Sequence, residues 1–143
     1  MDVNDINSHG LNIPCFLGVF LIADLKNLNI VKNNVALIVV HQGHAIAVHI
    51  TKTNIEVMDP LGMSNKKIFS PICLFLKNHL PCKKLLINSK IQSDGSDHCA
   101  KYCLVYLYLR CNHLSFHKIM LLFSCETNNN DFRVDKLFAR YFN

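Results

Sequence analysis

Four side chains that lie in the order His, Asp, Gln, Cys have the types needed for nucleophilic catalysis. Ser96 and Asp97 are good N-cap residues for a helix, so Cys99 is predicted to lie in the first turn of that helix. The positive end of the helix macrodipole lowers the pKa of a thiol at this position. His44 could serve as a base for this thiol, Asp59 could orient the imidazole, and Gln92 could donate to an oxyanion. Together they predict acyl transfer by a cysteine nucleophile.

The histidine and the aspartate lie in a predicted β-hairpin. The apolar, β-branched run Val35–Val40 predicts a strand covered on both faces, and His44–Ile50 and Ile55–Asp59 predict two further strands joined by a turn at 51–54. We expect the apolar face of this hairpin to be buried, so that the side chains in phase with it share one side of the sheet.

Strand alternation then places His44 and Asp59 on the same side, whereas His49 faces away. A tight turn makes His44 and Asp59 direct cross-strand neighbours, and a four-residue turn displaces them by one pair. A carboxylate on an apolar face is costly unless it is paired, which favours this partnership. His41, three residues upstream, remains an alternative base.

The remaining elements are predicted from periodicity and from breaker residues. Cys99–Cys111 is apolar on nearly every side, which predicts a helix in the middle of the domain. The other predictions are a short turn and helix or a buried segment over Ile13–Leu25, a helix over Ile68–His79, a strand over Lys84–Ile87, a surface loop at Asn128–Asn130 and a final amphipathic helix over Asp131–Asn143.

Composition bounds the class of protein. With 143 residues, 50% of them apolar and 17% charged, the chain is predicted to form one domain over residues 1–143 and not to be disordered. The longest apolar run, Ile13–Ala23, is too short to span a bilayer, and no secretion signal precedes the odd number of cysteines. We therefore expect a soluble, monomeric protein of a reducing compartment with mostly free thiols.

The net charge of +5 is concentrated in one segment. The stretch 60–93 contains six lysines and no Asp or Glu. Such a stretch is either a solvated rim or a patch that faces phosphate groups of nucleic acid, and composition leaves both interpretations open. Its lysines are Lys66, Lys67, Lys77, Lys83, Lys84 and Lys90.

A metal site is the competing interpretation of the cysteine-rich helix. Five residues could supply ligands, namely Cys99, Cys103, Cys111, His113 and His117. No Cys-x-x-Cys pair is present, the spacings fit no common zinc template, and most of these side chains would point to different sides of one helix. The sequence therefore predicts no metal centre, and Cys103 and Cys111 are expected to be inert.

Three short motifs resemble those of the adenovirus-type cysteine proteases, the adenain family. Gly43-His44 opens one strand, Met58-Asp-Pro-Leu-Gly62 closes the next, and in Gln92-Ser-Asp-Gly-Ser-Asp-His-Cys99 the Gln precedes the Cys by seven residues. Phe16-Leu-Gly18 resembles a further short element of that family. The order His, acid, Gln, Cys is shared with the SUMO- and ubiquitin-like-protein proteases, whereas in papain the Cys comes first.

The resemblance implies a papain-related α+β fold of the adenain type, in which a small mixed or antiparallel sheet packs on the helix that carries the nucleophile. It implies His44 as general base, Asp59 as the orienting acid, Cys99 as nucleophile and Gln92 in the oxyanion hole. Two departures are evident: Ala45 stands where the family usually has Trp, and Ala100 stands where Gly is common.

The resemblance also implies a function. Such enzymes are viral endopeptidases that cleave virion precursor proteins after small residues such as Gly, inside the host nucleus or cytoplasm and the virion, without a cofactor for the chemistry itself. Activation by DNA would involve Lys66, Lys67, Lys83 and Lys84, and activation by a short viral peptide would involve a disulfide to Cys82. The alternatives are a protease that removes a ubiquitin-like modifier and an inactive relative that binds nucleic acid.

Overall fold

The structure, a computed structural model, describes residues 1–28, 34–62 and 66–143, with the backbone alone for residues 66–70. The helices are α1 (Val3–Gly10), α2 (Lys66–His79), α3 (Cys99–Cys111), α4 (Phe116–Met120) and α5 (Asn130–Phe142). The strands are β1 (Phe16–Leu21), β2 (Val35–His41), β3 (His44–Ile50), β4 (Asn54–Met58) and β5 (Lys84–Ile87). Two 3₁₀ turns lie at Ile22–Asn27 and Thr127–Asn129.

The five strands form one mixed sheet in the order β1-β2-β3-β4-β5. The two inner pairings, β2 with β3 and β3 with β4, are antiparallel, whereas the outer pairings of β1 with β2 and β4 with β5 are parallel. A mixed sheet with helices confirms the predicted α+β class. The parallel outer pairing also brings the end of β5 beside the end of β4, which matters for the site.

Both faces of the sheet are buried, so the expectation that the hairpin buries only one face is wrong. Ala45, Ala47 and Met58 pack in a cluster with α3, whereas Ile46 and Val57 pack in a second cluster with α2. Every residue of β3 is buried. The two-sided coverage predicted for 35–40 is confirmed, and β3 shares it because it is the middle strand of the sheet.

The N-terminal third departs most from the sequence prediction. The segment Ile13–Leu25 forms strand β1 and a 3₁₀ turn, and the polar start of the chain forms helix α1, closed by a capping box between Asp2 and Asp5. The apolar residues of β1 do not alternate with polar ones as in a half-buried strand, because β1 contacts both strand β2 and helix α1. Position Asn130 is also not in a surface loop, since it begins α5 and is fully buried.

Helix α3 is the central helix, as its sequence predicts. Its residues Tyr102 to Leu107 are buried, and it contacts the sheet through β3 and the other helices through α1, α4 and α5. Among the described residues no helix is long and apolar enough to cross a membrane.

Candidate active site

The turn between β2 and β3 sets the position of His44. Gln42 and Gly43 both have positive φ angles, 48° and 76°, which is the backbone of a type I′ two-residue hairpin turn. His41 pairs with His44 across this turn. His44 is therefore the first residue of β3 and lies at the end of the sheet, with 9% of its surface exposed.

His44 and Asp59 form a buried pair at this end. The Nε2 atom of His44 lies 2.7 Å from Oδ1 of Asp59, and Asp59 is fully buried. Ala47 pairs with Met58 and Ile50 with Ile55, so the hairpin has the register in which His44 and Asp59 are displaced by one pair and meet diagonally. With Nε2 engaged by the carboxylate, Nδ1 is the imidazole atom left for other chemistry.

Asp59 opens a turn that fixes its position through the backbone. Gly62 N–H donates to the Asp59 carbonyl at 2.8 Å, and Leu61 N–H donates to Asp59 Oδ1 at 2.9 Å. Gly62 has a φ of 64°, and a Cβ placed there would come within 2.7 Å of the backbone nitrogen of Lys90. Only glycine suits this position without strain.

The same turn anchors the loop that carries Gln92. The carbonyl of Pro60 accepts hydrogen bonds from the backbone N–H groups of Ile91, at 3.0 Å, and of Gln92, at 2.9 Å. Asn88 adds a second link, since its side chain accepts from Asp59 N–H and donates to the Asp59 carbonyl. The acid and the glutamine are thus parts of one hydrogen-bonded unit.

Sequence reasoning missed Asn88 and Asn130, two buried asparagines that hold this unit. Asn88 follows β5, and the parallel pairing of β5 with β4 brings it next to Asp59. Asn130 donates to the carbonyl of Ile91 at 2.8 Å. The sequence did contain a signal for Asn88, because Asn88 directly follows the predicted apolar strand 84–87, just as Asp59 ends the predicted strand 55–59.

Cys99 enters the site from the first turn of α3. Its Sγ lies 3.7 Å from the carbonyl oxygen of Gly43, in the turn next to His44. The predicted N-cap was wrong, because His98 occupies the N-cap position without a side-chain cap, while Ser96 Oγ accepts from His98 N–H at 3.3 Å. Cys99 is nevertheless the first helical residue, where backbone N–H groups lack intrahelical acceptors.

The pKa values of Cys99 and His44 are displaced toward an ion pair. Burial by itself raises the pKa of Cys99, but hydrogen bonds from His44 and from backbone N–H groups of Ala45 and Ala100 lower it below its usual value. Burial by itself lowers the pKa of His44, but hydrogen bonding to Asp59 and to Cys99 raises it to about 9. Both shifts favour a thiolate next to an imidazolium over the neutral pair.

Gln92 lines the same cavity as His44 and Cys99. Its side-chain Nε2 donates to the carbonyl of Ser96 at 2.8 Å, which leaves the second N–H of that amide to donate elsewhere. Its Oε1 is buried without a hydrogen-bond partner among the described residues, and the residue is 1% exposed.

These residues surround one cavity of about 530 Å³. His44, Cys99 and Gln92 line it together with Ala45 and Ala100, the two positions that depart from the adenain pattern. The start of the chain supplies another wall through Met1 and Asp2 and through Val3 and Ile6 of helix α1. Ala45 presents a smaller side chain to the cavity than a Trp would, and Ala100 a larger one than a Gly would.

The other histidines near these motifs have different environments. His41 does not line the cavity that contains Cys99. His98 turns toward α5, where its Nε2 lies 3.0 Å from Asp135. His49 lies toward the other end of β3, 3.1 Å from Glu56, on the opposite face from His44 as predicted. Of these imidazoles, the structure brings only that of His44 to both Asp59 and Cys99.

Two lysines of the basic stretch are engaged by neighbouring groups. Lys83 donates to the carbonyl groups of Thr51 and Lys52, at 2.6 and 2.8 Å, and Lys90 pairs with Asp94. Lys84 is exposed, and Cys82 is an exposed free thiol. The side chains of Lys66 and Lys67 lie outside the described residues.

Comparison of the whole chain with known proteins rests on structure. No protein-family model and no curated protein sequence matches the chain. The SUMO protease Ulp1 superimposes with a TM-score of 0.54 at 9% identity, covering 100% of this chain and 79% of that one. The ASFV pS273R protease superimposes with a TM-score of 0.56 at 15% identity, covering 90% and 68%.

The chain has the fold of the Ulp1-like cysteine proteases. The central domain of an uncharacterized Legionella pneumophila protein has the same fold, with a TM-score of 0.54 at 14% identity over 97% of this chain and 98% of that domain. This confirms the fold class inferred from the motifs. At these identities the Ulp1-like fold is what the chain shares with the three proteins.

Proposed function

We propose that this chain is a cysteine endopeptidase in which Cys99 is the nucleophile, His44 the general base and acid, Asp59 the residue that orients His44, and Gln92 an oxyanion donor. The observation that carries the proposal is the 2.7 Å bond between His44 Nε2 and Asp59, together with the position of His44 on the same cavity as Cys99 and Gln92. The Ulp1-like fold supports it, because proteases share that fold.

The reaction follows from this arrangement. The Cys99 thiolate attacks the peptide carbonyl and forms a C–S bond, and the negative charge moves to the carbonyl oxygen. The free N–H of Gln92 and the backbone N–H groups at the start of α3 stabilise that oxygen. As the C–N bond breaks, the His44 imidazolium donates its proton to the leaving amine.

Hydrolysis of the acyl-enzyme restores the starting state. Neutral His44 removes a proton from water as the water oxygen bonds to the thioester carbon. The C–S bond then breaks, the acid product leaves, and the Cys99 thiolate remains beside the His44 imidazolium. Asp59 keeps Nδ1 of His44 directed toward the thiol throughout by holding Nε2.

An activity-based probe tests the proposal. A peptide that ends in Gly-Gly and carries an electrophile should label Cys99 in the wild-type protein and not in Cys99→Ser. His44→Ala should abolish labelling, whereas His41→Ala serves as its matched control and should retain it. Equal labelling of the wild type and Cys99→Ser, or loss of labelling only in His41→Ala, would refute the assigned roles.

For the substrate we propose precursor polypeptides of a virus particle, cleaved after small residues such as Gly. The support is the likeness to adenain motifs together with the Ulp1-like fold shared with the ASFV protease. The alternative is removal of a ubiquitin-like modifier, favoured by the likeness to the SUMO protease Ulp1. Comparing the rates on a Gly-Gly peptide of capsid type and on SUMO or ubiquitin fusions distinguishes the two.

Activation by DNA and by a short peptide belongs to the same proposal. The engaged ammonium group of Lys83 argues for a small contribution from that residue, and exposed Lys84 is the better candidate. Cys82 is exposed and could form a disulfide with a cysteine-containing peptide. Stimulation that falls with added salt and with Lys84→Glu would support DNA binding, and stimulation unaffected by either would refute it.

A further inference from the structure

Three candidate metal ligands meet at the end of the sheet opposite the active site. The Sγ atoms of Cys15 and Cys111 and a ring nitrogen of His49 lie within 4.8 Å of one another. The two sulfur atoms are 3.2 Å apart, and both cysteines are free. The residues come from the segment before β1, the last position of α3 and the end of β3, so only the folded chain assembles them.

The imidazole is already oriented as a metal ligand would be. His49 Nδ1 lies 3.1 Å from Oε1 of Glu56, so the other nitrogen, Nε2, faces the two thiols. Ligating histidines characteristically donate the remaining ring N–H to a carboxylate, which fixes the tautomer. Within the described ranges this is the one group of three such ligands, and it has that carboxylate in place.

Glu56 is itself held firmly as an anion. Arg110 donates to both of its oxygens, at 2.8 and 3.0 Å, and the hydroxyl of Tyr106 donates to it at 2.6 Å. Glu56 accepts a hydrogen bond from Nδ1 of His49, which leaves Nε2 as the ring nitrogen that faces Asn34 Oδ1, and a metal ion bound at Nε2 would replace that hydrogen bond.

Asn34 offers a fourth donor. Its Oδ1 atom lies 3.1 Å from His49 Nε2 and 3.7 Å from Cys15 Sγ. Two thiolates, one imidazole and one oxygen form a tetrahedral set that suits Zn²⁺. Charge also balances, because two thiolates neutralise the dication while Arg110 neutralises Glu56.

We propose that Cys15, His49 and Cys111 bind Zn²⁺, with Asn34 Oδ1 completing the coordination. Tetrahedral zinc separates its sulfur ligands by about 3.8 Å, so the two thiols need to move apart by only about half an ångström. Thiols bind zinc as thiolates, so binding releases protons from both cysteines.

The site would tie together segments that are far apart in the sequence. Cys15 precedes β1, Asn34 precedes β2, His49 is near the end of β3, and Cys111 ends α3. The role that follows is structural, since the ligands close the sheet end that carries no catalytic group. The proposal differs from the sequence prediction of no metal centre, which considered Cys111 only with ligands on its own helix and in the segment that follows it.

Binding of Co²⁺ in place of Zn²⁺ tests the site apart from catalysis. The protein used is the full chain with Cys99→Ala, which removes the candidate nucleophile as a competing ligand, kept reduced and stripped of metal by a chelator. We expect one equivalent of Co²⁺ to produce thiolate charge-transfer and tetrahedral visible absorption, and one equivalent of Zn²⁺ to displace it. Adding Cys15→Ser should weaken binding at least about tenfold.

The matched control is Cys125→Ser in the same background, because Cys125 is an exposed thiol outside the cluster, and it should bind as tightly as the parent. Far-ultraviolet circular dichroism verifies that each variant is folded, and the titration of the parent decides the proposal if a variant is not. Absence of Co²⁺ absorption in the folded parent refutes the site, as does equal binding by the Cys15→Ser variant. A Cys15–Cys111 disulfide in a protein that binds no metal when reduced would identify a redox pair and also refute it.

Discussion

Replacing Asp59 by Asn separates the charge of the proposed orienting residue from its shape. Asn can keep the bond from Leu61 N–H to Oδ1, and the atom that becomes an NH₂ group corresponds to Oδ2, which is buried without a partner among the described residues. The fold should therefore persist. What is lost is the anion beside His44 Nε2, and with it part of the stabilisation of the imidazolium.

The size of the effect follows from the pKa of His44. That pKa is raised to about 9 from 6.5, and each unit corresponds to about 1.4 kcal/mol, so the folded protein favours the charged ring by about 3 kcal/mol. His44 is only 9% exposed, which limits screening by solvent. Because the Cys99 contribution remains, we expect Asp59→Asn to lower the pKa of His44 by about one to two units.

The assay is the pH profile of kcat/KM on a fluorogenic peptide, measured between about pH 5 and pH 10. The alkaline limb should lie near the His44 pKa of about 9 in the wild type and should move to lower pH in Asp59→Asn. Stability supplies a second readout. The folded-state pKa of His44 is raised, so its contribution is complete below pH 6.5 and is lost as the pH rises through about 9.

The thermal midpoint of the wild type should therefore fall as the pH rises from 6.5 to about 9, and this fall should be smaller in Asp59→Asn. Asp24→Asn is the matched control, because Asp24 is an exposed carboxylate in the 3₁₀ turn after β1. An alkaline limb that stays near pH 9 in Asp59→Asn would show that Asp59 does not set the charge of His44, and the reasoning would fail.

Three further substitutions probe the elements around the site. Gly62→Ala should destabilise the protein by about 1–2 kcal/mol or more in denaturant titration, because φ is 64° and the new Cβ meets Lys90. Gln92→Ala should lower kcat about 10²- to 10³-fold without slowing alkylation of Cys99 by iodoacetamide, because the proposed oxyanion donor is removed while His44 still contacts the thiol. Glu56→Gln should make the free energy of unfolding depend less on pH in the acid range. In the wild type the folded-state pKa of Glu56 is about 2, so its ionised form contributes about 3 kcal/mol of stability that is present above pH 4.5 and is lost as the pH falls toward 2. An unchanged unfolding midpoint in Gly62→Ala would contradict the first expectation, and alkylation of Gln92→Ala that slows as much as its turnover would contradict the second. An acid unfolding profile of Glu56→Gln identical to that of the wild type would contradict the third.

The hairpin was predictable because its patterns are local. Alternation along the two strands of the hairpin predicts that His44 and Asp59 lie on one side of the sheet. Of the two registers that the turn allowed, the structure has the one in which Ile50 pairs with Ile55 and His44 meets Asp59 diagonally. Helix α3 was predicted with its observed bounds, since an apolar run after a polar loop begins and ends clearly. These two elements carry His44, Asp59 and Cys99, so the core of the candidate site could be predicted.

What the sequence did not reveal depends on contacts between distant segments. Helix α1 has a polar composition, yet its residues Val3 and Ile6 line the cavity although they are far from Cys99 in the sequence. Asn88 acts on Asp59 through a parallel strand pairing, and such pairings join segments that no local pattern connects. The cluster of Cys15, His49 and Cys111 has the same origin, because its ligands are separated by more than thirty residues at every step.

The three cysteines of α3 show why residue type alone does not settle function. Cys99 meets free backbone N–H groups and His44, and these lower its pKa. Cys103, one turn later, is completely buried, and burial raises its pKa well above the usual value, so it packs as an apolar side chain. Cys111 ends the helix 3.2 Å from Cys15. Since α3 packs on β3, and His44 and His49 lie toward the two ends of that strand, one strand and one helix place a thiol beside an imidazole twice. The carboxylates behind the two imidazoles differ in their partners: Asp59 stabilises a charged ring at His44, whereas Glu56 is already paired with Arg110 and holds Nδ1 of His49, so that Nε2 faces the two thiols.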